Sequence, residues 1–149
     1  MRTILPAFSC LILAAIPAAA LEKELVDQIV QSAQSIGRDA SGVSTALKTK
    51  RFDAAEVTKQ ISAMDGDVAK LQELVAGFDS THPNLSERDR ADWHLLKLKV
   101  QLIELFHGQK KNLAAEGVAK NRDVIRAHAS GLAERAQKLQ QTAEKLRRG

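Results

Sequence analysis

The sequence predicts an all-α fold: an antiparallel up-down-up-down four-helix bundle with left-handed, coiled-coil-like packing, following a cleaved signal peptide. Three observations carry this. From Ala54 to Phe78 the apolar residues Ala54, Val57, Ile61, Met64, Val68, Leu71, Val75 and Phe78 recur at alternating steps of three and four, the spacing of a helix seam. Three other stretches carry seams of similar length, so each helix needs the others to bury its apolar side. The composition agrees, since 149 residues include no Tyr, one Trp and four Phe, while the good helix formers Ala, Leu, Lys, Glu and Gln are plentiful.

The opening residues have the three parts of a secretory leader. Arg2 gives the positive start, Ile4 to Ile16 the apolar middle, and Pro17, Ala18, Ala19 and Ala20 the small residues before a cut. Cleavage is expected after Ala20, which makes 1–20 a signal peptide and 21–149 the bundle. An uncleaved membrane anchor is disfavoured by the Pro- and Ala-rich second half of the segment. A lipid-bearing Cys10 is disfavoured by the bulky Phe8 and the short apolar lead before it. Cys10 is the one cysteine, so the mature chain has no internal disulfide and its stability rests on helix packing. The expected location is periplasmic or secreted, with no stable membrane insertion once the leader has gone.

The four helices are expected at about 21–49, 53–79, 86–115 and 118–148. Helix 1 has the seam Val26, Ile29, Ala33, Ile36, Ala40, Val43 and Leu47. Gly37 and Gly42 flank it, and close helix packing is favoured over a hinge as their role. Asp53 caps helix 2, with Glu56 in the capping-box position. That helix stops near Phe78, because Asp79 to Asn84 is a run of turn formers containing Pro83. Asn84 or Ser86 caps helix 3. Gly117 is the expected break before helix 4, whose seam sets Val118, Ile125, Leu132, Leu139 and Leu146 among Ala129, Ala136 and Ala143. Small residues alternating with large ones allow close approach of a neighbour. Helices of roughly 27 to 30 residues are about 40 to 45 Å long at 1.5 Å per residue.

The formal net charge of +4, one unit of it from Arg2, is spread rather than one-sided. Acids are expected at helix starts and bases at helix ends (Lys48, Lys50 and Arg51; Lys110 and Lys111; Lys145, Arg147 and Arg148), as helix dipoles favour. Nucleic acid would require a one-sided basic stripe, which is absent, so no nucleic-acid partner is expected.

No constellation points to a reaction. Spacing suggests no Ser/His/Asp set and no Gly-rich phosphate loop. Asp65 and Asp67, on either side of Gly66, fall on the outer, solvated face of helix 2. Of the four histidines, His82 lies in a turn and His94 on the wet strip of helix 3. His107 continues the helix 3 seam, and His128 flanks that of helix 4. Folding back near Gly117 brings His107 and His128 within about one helical turn. Facing histidines can ligate a metal or a haem iron. Yet the chain lacks Cys-x-x-Cys-His, which excludes covalent c-type haem, and it has no His-x-x-x-His or Glu-x-x-His. Met64, folded about the His82 turn, is expected near Gln101 and away from His107. The layout resembles that of exported four-helix cytochromes without their haem-attachment residues, and the resemblance stops at fold class. No catalytic, metal or cofactor residue is assigned, with His107 and His128 retained as an alternative.

Helix 3 stands apart because it has two apolar stripes. Trp93, Leu96, Val100 and Ile103 form one, and Leu95, Leu98, Leu102, Leu105, Phe106 and Leu113 a second. Either the helix is central and gripped by several neighbours, or the second stripe docks a partner. The expected function is therefore that of an exported, non-enzymatic bundle. It acts by protein–protein or self-association through Leu95, Leu98, Leu102 and Phe106, with an exported protein or a second copy as partner. The alternative is a non-covalent haem or metal carrier using His107 and His128. An exchangeable, membrane-binding bundle is disfavoured by the balanced charge of the outer faces.

Overall fold

A computed structural model describes residues 18–148, and side chains for residues 23–146. Arg2, Cys10 and the rest of residues 1–17 lie outside the described residues, and with them most of the expected leader. Among the described residues there are four helices and no strand: α1 (Ala18–Ala46), α2 (Ala54–Thr81), α3 (Glu87–Gly117) and α4 (Arg122–Arg148). The all-helical, four-helix expectation holds. Each helix contacts its two neighbours in the ring α1, α2, α3, α4, while the diagonal pairs make no backbone approach. This is the contact pattern of a bundle.

The seams supply the core. All seven seam residues of α1 are buried, as are Val57, Ile61, Met64, Val68, Leu71 and Phe78 of α2, and Ile125, Ala129, Leu132, Ala136, Leu139 and Ala143 of α4. The most extensive contact is between α1 and α4, the slightest between α2 and α3. Small side chains explain the first. A Cβ at Gly37 would sit 3.5 Å from that of Ala136, and the Ser44 and Ser130 hydroxyls hydrogen-bond at 2.8 Å. At 3.5 Å such a Cβ would be in ordinary contact, so Gly37 lies in the packed α1–α4 face without being required by it, and Ala33, Ala40, Ala129 and Ala136 are buried in the same core.

The helix ends depart from expectation in one respect. Asp53 caps α2, accepting from the N–H groups of Ala55 at 2.9 Å and Glu56 at 3.2 Å. Ser86, and not Asn84, caps α3, accepting from the Asp89 N–H at 3.2 Å. Acids occupy the first turns of α2, α3 and α4, but the last turns of α1, α2 and α3 contain no base. α1 stops at Ala46 rather than near Thr49, so Lys48, Lys50 and Arg51 lie in the turn beyond it. The last carbonyls of α1 accept from the N–H groups of Leu47, Lys48 and Thr49, and the turn itself is held from another helix: the Arg122 guanidinium donates to the carbonyls of Leu47 at 2.9 Å, Lys48 at 3.3 Å and Thr49 at 3.0 Å. A cation just past a helix C-terminus also meets the negative end of the helix dipole favourably. Likewise Lys110 and Lys111 lie well inside α3, which continues to Gly117.

α3 and α4 are separate helices, joined by a turn over residues 118–121. Gly117 closes α3 with φ of 131°, a conformation that a Cβ strongly disfavours. The Asn121 side chain then donates to the Leu113 carbonyl at 2.9 Å. Gly117→Ala is expected to lower unfolding stability by about 1–3 kcal/mol with helix content retained. Urea denaturation followed by far-UV circular dichroism checks this, and an unchanged midpoint would contradict the strain at this turn.

Candidate functional site

Two features of α3 stand out, one on its outer side and one on its inner side. On the outer side the second apolar stripe is solvent-facing over most of its length. Leu95 is 47% exposed, Leu98 44%, Leu102 44% and Leu105 54%, while Trp93, Leu96, Val100 and Ile103 take the core positions. The four exposed leucines follow steps of three, four and three, the spacing of a coiled-coil seam. Phe106 is different: it is half-buried and turned to α4. The Arg135 guanidinium lies 3.5 Å from its ring centroid, the His128 ring is 5.6 Å away, and a Cβ at Gly131 would lie 3.1 Å from that guanidinium. Arg135 also donates to the Gly131 carbonyl at 3.0 Å. Beside Leu102 the border with α4 consists of Lys99, Glu134, Arg135 and Lys138, so this edge of the row carries a positive excess.

The inner side contains a polar layer in an otherwise apolar seam. After Trp93, Leu96, Val100 and Ile103, the alternating steps continue through His107 and Lys110 to Ala114, and all seven are buried. Lys110 is 0% exposed. Its Nζ lies 3.5 Å from the Met64 sulfur, and a thioether is a weak acceptor. Burial pushes the amine down from 10.5 to about 7, against the pull of the Asp39 and Asp65 carboxylates.

His107 and Asp65 complete the layer. The imidazole Nε2 donates to Asp65 Oδ1 at 2.7 Å, and Lys111 Nζ donates to Oδ2 at 2.8 Å. The Asp65 carboxyl is raised by burial, but hydrogen bonds from Lys111 and His107 outweigh this and hold it below its usual range. His107 lies below the usual histidine range because of burial, helped by the positive charges of Lys110 and Lys111, and in spite of Asp65. Its other ring nitrogen, Nδ1, is buried without a hydrogen-bond partner. Nearer the end of the bundle, Asp79 accepts from Trp93 Nε1 at 2.6 Å and from Lys97 Nζ at 3.0 Å. The α2–α3 contact is thus held by two carboxylates as well as by its apolar residues.

These positions revise three expectations. Asp65 is not on a solvated outer face; its side chain is 40% exposed and engaged by α3. Met64 meets Lys110 instead of Gln101, because α2 runs to Thr81 and a loop follows, so the register turns near Ser86 rather than at His82. Lys110 is a core residue and not a helix-end charge. His107 and His128 look to different partners, Asp65 and Phe106. Among the described residues no three His, Cys, Asp or Glu side chains gather as a metal site, and no helix is long and apolar enough to cross a membrane. Sequence reasoning missed Lys110 although the signal was present, since it falls in step with the seam.

With the geometry in place, comparison with family models, curated proteins and solved structures finds no match to this chain.

The buried amine has a calculable consequence. Above pH 10.5 Lys110 is neutral whether the chain is folded or unfolded. As pH falls towards 7 the unfolded lysine takes its proton and the folded one does not, so stability declines across that window and levels off below it. Lys110→Met is expected to flatten this slope and to raise stability at pH 7 by about 1–4 kcal/mol, as replacement of buried charge by apolar groups does. Urea midpoints of both proteins at pH 7 and pH 9.5 check this, and a destabilised variant with an unchanged slope would contradict it.

Proposed function

We propose that this is an exported, non-enzymatic helical-bundle protein that docks a helix of another protein along the outer side of α3. The observation that carries the reading is the row Leu95, Leu98, Leu102 and Leu105, all exposed at coiled-coil spacing. A contiguous apolar row of this kind on an otherwise polar surface is the mark of an interaction site. Phe106, with Arg135 over its ring, forms the floor at the α4 edge. Export is supported by the three-part leader in residues 1–20, and the absence of an assembled catalytic constellation in the sequence supports a binding role.

The bundle behind the row runs up-down-up-down with a slight left-handed supercoil. Paired residues support that order: Gly37 lies by Ala136 and Ser44 by Ser130, Met64 by Lys110 and Asp79 by Trp93. As numbering rises on one helix it falls on its neighbour. The seven-residue step of the seams supports the supercoil.

Charge selects the occupant. Lys99, Arg135 and Lys138 against the single Glu134 give the α4 edge its positive excess. Two copies facing each other about a twofold axis across the row would set that edge against itself. A partner helix with an apolar seam and carboxylates along one flank meets it favourably. The test uses a synthetic amphipathic helix with a leucine seam and a glutamate flank, beside a twin with a lysine flank. The glutamate peptide is expected to bind in fluorescence anisotropy, at least tenfold tighter than its twin and more weakly as salt rises. The double substitution Leu98→Glu/Leu102→Glu should abolish binding while circular dichroism stays helical. Equal binding of both peptides, or a protein that sediments as a dimer and loses that state on the same substitutions, would overturn the reading in favour of self-association.

A further inference from the structure

The layer of Asp65, His107 and Lys110 lies in the α2–α3 contact, the slightest in the ring. Lys110 lies on α3 and is fully buried in the bundle, and the ionisable groups of the four helices are unequally placed about it. Asp39 on α1 and Asp65 on α2 attract its charge. On α3 itself, Lys111 pairs with Asp65, and His107 lies close enough for the lysine's charge to oppose its own. The ionisable residues of α4 nearest this level turn elsewhere: Arg126 to Asp123 at 3.5 Å and His128 to Phe106. No carboxylate makes direct contact with the amine; its hydrogen-bond partner is the Met64 sulfur.

We propose that Lys110 and His107 form a proton-binding site that governs the α2–α3 contact: proton uptake parts the two helices, and proton release closes them, while α1 and α4 stay packed. In the closed bundle an ammonium at Lys110 has a thioether in place of water. An imidazolium at His107 has an Nδ1–H with no acceptor. Each new proton is therefore poorly accommodated. Moving α3 away from α2 admits water to both groups. The carboxylates that bridge the contact add little resistance, because the side chains of Asp65 and Asp79 are already 40% and 44% exposed and exposed pairs hold weakly. The α1–α4 contact is held by the packing of small side chains and by the Arg122 guanidinium on the turn after α1.

Hydrogen exchange on the full bundle tests this over pH 6 to 9.5, with rates corrected for intrinsic pH dependence. Residues 61–71 of α2 and 100–114 of α3 are expected to exchange at least tenfold faster than the cores of α1 and α4 at pH 7. The opening that exposes them takes up one proton, so their protection should fall about tenfold per pH unit between pH 9 and pH 7. Lys110→Met should remove that slope, and His107→Gln should remove only the further loss of protection below pH 6.5. Four helices exchanging together at every pH would overturn the proposal, since only whole-bundle unfolding would then exist. A slope that survives Lys110→Met would also overturn it, because the proton would bind elsewhere.

Discussion

The close approach of α1 and α4 is the constraint on which the rest of the bundle depends. Gly37 approaches Ala136 and Ala133, the Ser44 and Ser130 hydroxyls hydrogen-bond, and Ala33, Ala40 and Ala129 are buried in the same core. Side chains this small let the two backbones come near enough for a long continuous contact, and dispersion between close-packed atoms accumulates along it. Larger residues are then confined to the gap that this pair leaves against α2 and α3. There Ile29, Ile36, Leu47, Ile61, Leu71, Leu96, Ile103, Ile125, Leu132 and Leu139 are buried completely.

The opposite side of the ring is built differently. α2 and α3 make the slighter contact and supplement it with Asp65 and Asp79, each accepting hydrogen bonds from two side chains of α3. Exposed carboxylate pairs contribute little in water, so this side depends on Met64, Phe78, Trp93 and Val100 for cohesion. Lys110 works against that cohesion, since its chain fills space in the core while its amine has a sulfur for company. α3 therefore has a polar interruption on its inner side and a leucine row on its outer side, and both proposals above concern this one helix.

Much of this was legible in the residue order and some was not. The four seams, the caps at Asp53 and Ser86 and the break at Gly117 follow from local rules: apolar period, side-chain oxygen at a helix start, glycine at a helix end. The double stripe of α3 was visible for the same reason, and the structure separates its members. Leu95, Leu98, Leu102 and Leu105 face solvent, whereas Phe106 goes to α4, where Arg135 lies over its ring and His128 beside it. What failed were long-range assignments. The level of Met64 against α3 depends on where the α2–α3 loop begins, and an error of a few residues moves it by about one helical turn. Asp65 could not be assigned to His107 without that register. Lys110 defeats chemistry rather than geometry, since a lysine in seam position reads as a terminal charge. The hold on the turn after α1 is out of reach for local reasoning, because Arg122 lies in another helix far along the chain.

The partnership of α1 with α4 also bears on when the bundle can assemble. The two helices in most extensive contact are the first and the fourth of those described, and the guanidinium that holds the turn after α1 is made only after three helices are complete. Contacts this distant in sequence form late, because the intervening loop must be ordered before they repay it. A growing chain thus has little reason to settle early, and its most extensive helix contact becomes available only once α4 has been made.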